Sequence, residues 1–193
     1  MKIGIQGGPG SFNEEAILSY LQRNRITNYE LKYLYTTENV LKDVVTGKVH
    51  YGQFAIHNSL GGLVSESLDA MARHTFKIEK QYQILISHCI MAHPSASLSD
   101  IDAIQAHPQV FKQCRGNLSN MITNNHNIEL RIGDGEAIDH SFVAAQVSNG
   151  KMPRNIGTMG SRALAKSHSL KILRENMQDS NENYTRFLLV SST

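Results

Sequence analysis

Short strand-like runs alternate with helical periodicities through the first half of the chain, which restricts the fold to an α/β class with a largely parallel sheet. Residues 2–6 read as a strand. They run into Gly7-Gly8-Pro9-Gly10, a turn where backbone can approach closely. Ser11-Phe12-Asn13-Glu14 follows, with the serine-to-glutamate spacing of a capping box, and opens a helix to about residue 24. Residues 29–35 read as a second strand. Thr36-Thr37 start a helix whose Val40, Leu41, Val44 and Val45 share one face and which Gly47 ends. A third strand at 51–56 leads through His57-Asn58-Ser59 and Gly61-Gly62 to a helix expected to turn Leu63, Val64, Leu68 and Met71 inward.

Beyond residue 80 the texture changes, because 81–91 reads as one long strand suited to carrying the chain between two lobes. A second α/β set follows: a strand at 101–106, a helix with Pro108 at its first position, a strand at 128–132 and a helix at about 136–148. A strand at 155–159 and a short helix from Ser161 complete the set. The chain closes with a strand at 170–173, a polar loop at 178–183 and a final strand at 185–190. The expected division is a first lobe of residues 1–79 plus the return from about 174–193, and a second lobe of 80–173, with a ligand cleft between them.

Composition sharpens this mainly by exclusion. Hydrophobic residues at 40% and charged residues at 19% exclude a disordered tail, a collagen-like chain or a coiled coil. No apolar run reaches the roughly 18 residues that span a bilayer, and residues 1–5 go straight into strand-like sequence, so neither a membrane partner nor an export signal is expected. Lys and Arg number 19 against 17 Asp and Glu, too even a balance for nucleic acid. Cys89 and Cys114 do not form a C-x-x-C pair, and reduced thiols in the cytoplasm are expected.

Several loops can carry chemistry. Amides of residues 7–11, at the start of a helix, can receive a carboxylate or phosphate, although an ordinary strand-helix turn reads the same way. Asn58 and Ser59 display a carboxamide and a hydroxyl, while His57 is the one group of that loop that titrates near neutrality; each is also compatible with a structural turn. Gln109 and Gln113 stand four residues apart on one helix face, and spacing alone favours both being solvated. Arg186, between Thr185 and Phe187, either forks onto an anion or sits on an edge strand. His88, His93, His107 and Cys114 have no compact ligand spacing, so no metal site is expected, and no nucleophile motif supports covalent hydrolysis.

Taken in order, these motifs resemble the catalytic domain of prephenate dehydratase over essentially the whole chain. The resemblance rests on Gly7-Gly8-Pro9-Gly10-Ser11-Phe12, His57-Asn58-Ser59 through Gly62 and Asp69, and residues 79–90 ending Ser87-His88-Cys89. It rests further on Ala106-His107-Pro108-Gln109 with Gln113-Cys114, and above all on residues 176–179 followed by Asn183-Tyr184-Thr185-Arg186-Phe187. It implies two α/β lobes resembling a type II periplasmic-binding-protein fold. The implied reaction is decarboxylating dehydration of prephenate to phenylpyruvate, in phenylalanine biosynthesis.

By resemblance, Thr185 assists the departing hydroxyl, Asn58 and Gln113 bind substrate at the reacting centre, and Ser11, His57, Ser59, Arg186 and Phe187 contribute to substrate binding. No cofactor is implied, the partner is a small dianion, and the assembly is a homodimer or homotetramer. Four positions depart from the family pattern: His57 replaces a glutamate, Asp134-Gly135-Glu136-Ala137 replaces Ser-Thr-Ala, Ser11 replaces a threonine and Ala106 a serine. These departures motivate two alternatives, a prephenate decarboxylase and a non-catalytic module binding a small carboxylate; an arogenate dehydratase is a further alternative that the sequence leaves open. The chain stops shortly after Phe187, so no regulatory ACT domain and no phenylalanine feedback through one are expected.

Overall fold

The computed structural model describes residues 1–125, 128–133 and 140–193. They divide into two compact units, one of residues 1–8, 12–85 and 184–193, the other of 9–11 and 86–183. The sequence pattern predicts these boundaries at 79/80 and about 173/174. In the structure the chain passes between units later at both points, because the strand ending at Leu85 stays paired with the C-terminal strand up to Tyr184.

Unit 1 begins β1 (Lys2–Gln6), α1 (Phe12–Arg23), β2 (Glu30–Tyr35), α2 (Thr37–Val45) and β3 (Tyr51–Asn58). It continues with β4 (Gly62–Leu63), α3 (Ser65–Met71) and β5 (Lys77–Leu85). Its sheet has the order β2-β1-β3, then the C-terminal strand, then β5, with β4 on β3. β1 is parallel to both β2 and β3, as the alternating pattern predicts. The C-terminal strand lies antiparallel between β3 and β5, so the sheet is mixed. Leucine and valine of α2 pack with Phe54, Leu188 and Val190 on one face of the sheet. Ile17 and Leu21 of α1 pack with Ile3, Ile5 and Leu189 on the other. Gly52 is needed for the first contact, since a Cβ there would stand 2.6 Å from Val40 Cγ1.

Unit 2 contains β6 (Cys89–Ala92), β7 (Ala103–Gln105), α4 (Pro108–Gln113), α5 (Arg115–Asn125), β8 (Glu129–Arg131) and α6 (His140–Ser148). It closes with β9 (Ile156–Gly160), α7 (Arg162–Ser167) and β10 (Lys171–Arg174); β11 (Tyr184–Ser191) is the return strand of unit 1. The unit 2 sheet runs β10-β6-β9-β7-β8. Asp134-Gly135-Glu136-Ala137 and the expected start of the helix at about 136 lie outside the described residues.

Two element-level expectations change. The single strand expected at 81–91 is two strands, because at 86–88 the backbone leaves β11 for other partners: Ile86 N donates to Asn183 O and His88 N to Gln178 Oε1. The helix expected to bury Leu63 and Leu68 starts later, at Ser65. Leu63 belongs to β4 and is 57% exposed, while the inward face of α3 is small, with Ser67 and Ala70 buried. Ser67 Oγ lies 2.8 Å from Thr37 Oγ1, which a leucine in its place could not reproduce.

Candidate active site

In unit 1, β11 brings Thr185 into register with Asn58 at the end of β3 and with Ile84 of β5. Asn58 is buried, and its carboxamide is oriented at both ends. The oxygen accepts from Leu60 N at 2.9 Å and Gly61 N at 2.7 Å, a turn fastened by its own side chain. The Nδ2 group donates to Thr185 Oγ1 at 2.9 Å and to Tyr184 O at 3.2 Å. Thr185 Oγ1 is thus an acceptor towards Asn58 and keeps its own proton to donate elsewhere. Among the described residues its side chain makes no other hydrogen bond.

The neighbouring positions do different work. Ser59 accepts from Tyr184 N through Oγ at 2.9 Å and donates its own amide to Tyr184 O, pinning the start of β11. Strand alternation turns Arg186 to the opposite sheet face from Thr185, where it is exposed and in register with His57. Phe187 has no exposed surface; its ring is stacked 6.1 Å from Tyr82 in the core, leaving nothing to offer a ligand.

In unit 2, Gln113 is 5% exposed, against the spacing argument that favoured a solvated side chain; the segment after β10 folds over the end of α4 and buries it. Its Oε1 accepts from Asn183 Nδ2 at 2.9 Å and lies 2.9 Å from His88 Nε2. Asp179 N donates to Gln113 O, and the Asp179 carboxylate accepts from Gly116 N and Asn117 N at the start of α5. Burial pushes the His88 pKa down to about 4, the bond to Gln113 opposes that shift, and nearby His140 adds to it. Gln109 is partly buried. His107 caps α4, its Nδ1 accepting from Gln109 N at 3.1 Å.

Ser11, just before α1, is partly buried and groups with unit 2. In the same turn Pro9 O and Gly10 O accept from Ser141 Oγ and Ser161 Oγ. Gly10 is required there: φ is +78°, and a Cβ would stand 2.7 Å from Leu164 Cα. Among the described residues no group of three or more His, Cys, Asp or Glu is disposed to hold a metal ion.

The sequence reading thus named both members of the Asn58–Thr185 pair and Gln113. It missed Asn183, Gln178 and Asp179 as parts of a site, and it weighed His88 only as a metal ligand. All four lie within matched motifs, yet the contacts of His88 and Asn183 with Gln113 span 25 and 70 positions, and Gln178 reaches the group through His88 N, which no local pattern records.

A family model for prephenate dehydratase matches residues 3–193. Arogenate dehydratase/prephenate dehydratase 1, chloroplastic, of Arabidopsis thaliana is 30% identical over 99% of this chain and 45% of its own length. The chain therefore spans about half the length of the curated relatives it matches. The structure of prephenate dehydratase from Arthrobacter aurescens in complex with L-Phe superposes with a TM-score of 0.82 at 24% identity. That match covers 100% of this chain and 61% of that one. A putative methionine-binding lipoprotein of Bacillus subtilis shares the fold more distantly, with a TM-score of 0.55 at 12% identity over 100% of this chain and 83% of that one.

Proposed function

The chain belongs to the prephenate dehydratase family, and we propose that it converts prephenate to phenylpyruvate, a carbon-oxygen lyase reaction of phenylalanine biosynthesis. The bond from the ring to its carboxylate breaks, and the electron pair passes into the ring. The ring hydroxyl leaves and takes up one proton, so that a dianion and a proton give phenylpyruvate, carbon dioxide and water. Aromatisation drives the step, and the enzyme's task is to hold the dianion and assist the leaving oxygen.

The observation that carries this reading is the Asn58–Thr185 pair at 2.9 Å. Donation from Asn58 orients the hydroxyl and leaves its proton for the departing oxygen. A threonine hydroxyl is a weak acid, so alignment contributes more than its pKa does. Gln113 hydrogen-bonds the substrate, the role the family resemblance implies. The reading includes a homodimer or homotetramer working in the cytoplasm without cofactor, metal or nucleic acid. Two free, buried thiols agree with a reducing compartment, and among the described residues no helix is long and apolar enough to cross a membrane.

A second substrate, arogenate, is favoured by the Arabidopsis relative, whose name joins the two dehydratase activities. Incubation with prephenate or arogenate near neutral pH, with quantification of remaining substrate and aromatic product, separates the readings. Phenylpyruvate from prephenate is expected, falling by about 10²-fold or more in Thr185→Ala and partly retained in Thr185→Ser. Prephenate lost without phenylpyruvate would indicate decarboxylation alone, and phenylalanine from arogenate would shift the substrate. Binding of prephenate without turnover would leave a carboxylate-binding module.

A further inference from the structure

The carboxamide of Gln113 has two chemically distinct ends: the oxygen only accepts and the NH2 only donates. Two groups converge on the oxygen, Asn183 Nδ2 at 2.9 Å and His88 Nε2 at 2.9 Å. A neutral imidazole facing an acceptor through Nε2 carries its proton there. Turning the carboxamide over would set its NH2 against the NH2 of Asn183. The Nε2 end of Gln113 has no hydrogen-bond partner among the described residues, and the residue keeps a small exposure of 5%. One end is therefore clamped by two donors while the other stays available.

We infer that His88 and Asn183 are positioning residues that hold Gln113 with its NH2 presented as a donor, so that this site selects a carboxylate or carbonyl oxygen and rejects a donor in the same place. The inference rests on Gln113 being a substrate-binding group. The clamp is itself braced. His88 N donates to Gln178 Oε1 at 2.9 Å, Met177 N donates to His88 O, and Asp179 N to Gln113 O. Burial keeps the ring of His88 neutral, since its pKa is lowered to about 4. The Nε2 donor is thus set by tautomer, not by charge, throughout the neutral range.

Nitrogen-15 spectroscopy of the wild-type protein tests the geometry without reference to turnover. His88 is expected in the Nε2–H tautomer, and an Nδ1–H tautomer overturns the inference. Adding prephenate to the Thr185→Ala variant is expected to shift the side-chain NH2 signals of Gln113; unmoved signals would count against a donor role. Kinetics supply the second arm. Gln113→Glu keeps an oxygen for both donors but sets a second oxygen towards the anion, so KM for prephenate should rise about tenfold or more at an almost unchanged Tm. His88→Leu should raise KM by about tenfold and His88→Gln, which can restore the donor, by no more than about threefold. A Gln113→Glu protein with wild-type KM, or a His88→Gln no better than His88→Leu, would remove the clamp from substrate recognition. If the wild type leaves prephenate untouched, the proposed reaction falls, while the tautomer still decides the clamp.

Discussion

Asn58 performs two tasks with one carboxamide, and an isosteric change separates them. In Asn58→Asp the carboxylate still accepts from Leu60 N and Gly61 N, so the turn is kept. Donation to Thr185 Oγ1 and to Tyr184 O is lost, and the threonine proton is drawn onto the new oxygen instead of the leaving group of the proposed reaction. Turnover is expected to fall by about 10²-fold while the thermal midpoint moves by only a few degrees. Unchanged kcat in this variant would show that the Thr185 proton plays no part. At the same scale, the neighbours of Thr185 illustrate why a motif is not a site. Thr185, Arg186 and Phe187 are consecutive, yet strand alternation puts Arg186 on the opposite face and the core takes Phe187.

Among elements, α5 depends on a residue far from it in sequence. It begins right after Cys114, and the orphan amides of Gly116 and Asn117 are taken by the Asp179 carboxylate at 2.8 and 2.9 Å. A carboxylate there also meets the positive end of the helix dipole. Asp179→Ala is expected to cost about 1 to 2 kcal/mol in urea denaturation, with Asp179→Asn intermediate because one oxygen still accepts. A loss as small in Ala as in Asn would mean that solvent replaces the cap. Element identity was legible wherever a segment carried its own period. The strand of 2–6 forms as expected, and the helix from Thr37 buries Val40, Leu41 and Val44 as their spacing implied, whereas Val45, expected on the same face, is 49% exposed at the helix end. The break at 86–88 was not legible, since an apolar run does not say when its hydrogen-bond partner changes.

For the whole molecule, three histidines of unit 2 set the acid response. Burial lowers the pKa of His88 to about 4, of His107 to about 3 and of His140 to about 4, with His140 depressing its two neighbours further. Each folded value lies below the ordinary 6.5, so between them the unfolded chain takes up protons that the native protein refuses. Their contribution to stability is complete above pH 6.5 and is lost as pH falls towards 4. Melting temperatures should therefore drop over that window. His107→Asn keeps an acceptor at the cap of α4 and removes one titrating group, so its Tm should fall less steeply between pH 6.5 and 4.5. An unaltered slope would show that His107 takes up no extra proton on unfolding. By itself the sequence determined the α/β class and most strand and helix positions, and its ordered motifs made Asn58, Thr185 and Gln113 candidates for the site. Those signals are local: a period of 2 or 3.6, a turn residue, a spacing. Only tertiary structure decided that Asn58 hands Thr185 a hydrogen bond, that His88 and Asn183 meet on one oxygen of Gln113, and that Phe187 belongs to the core. Contacts between residues so far apart in the chain are set by how the sheets and helices pack, and directional bonds between buried polar groups form only once that packing has excluded water.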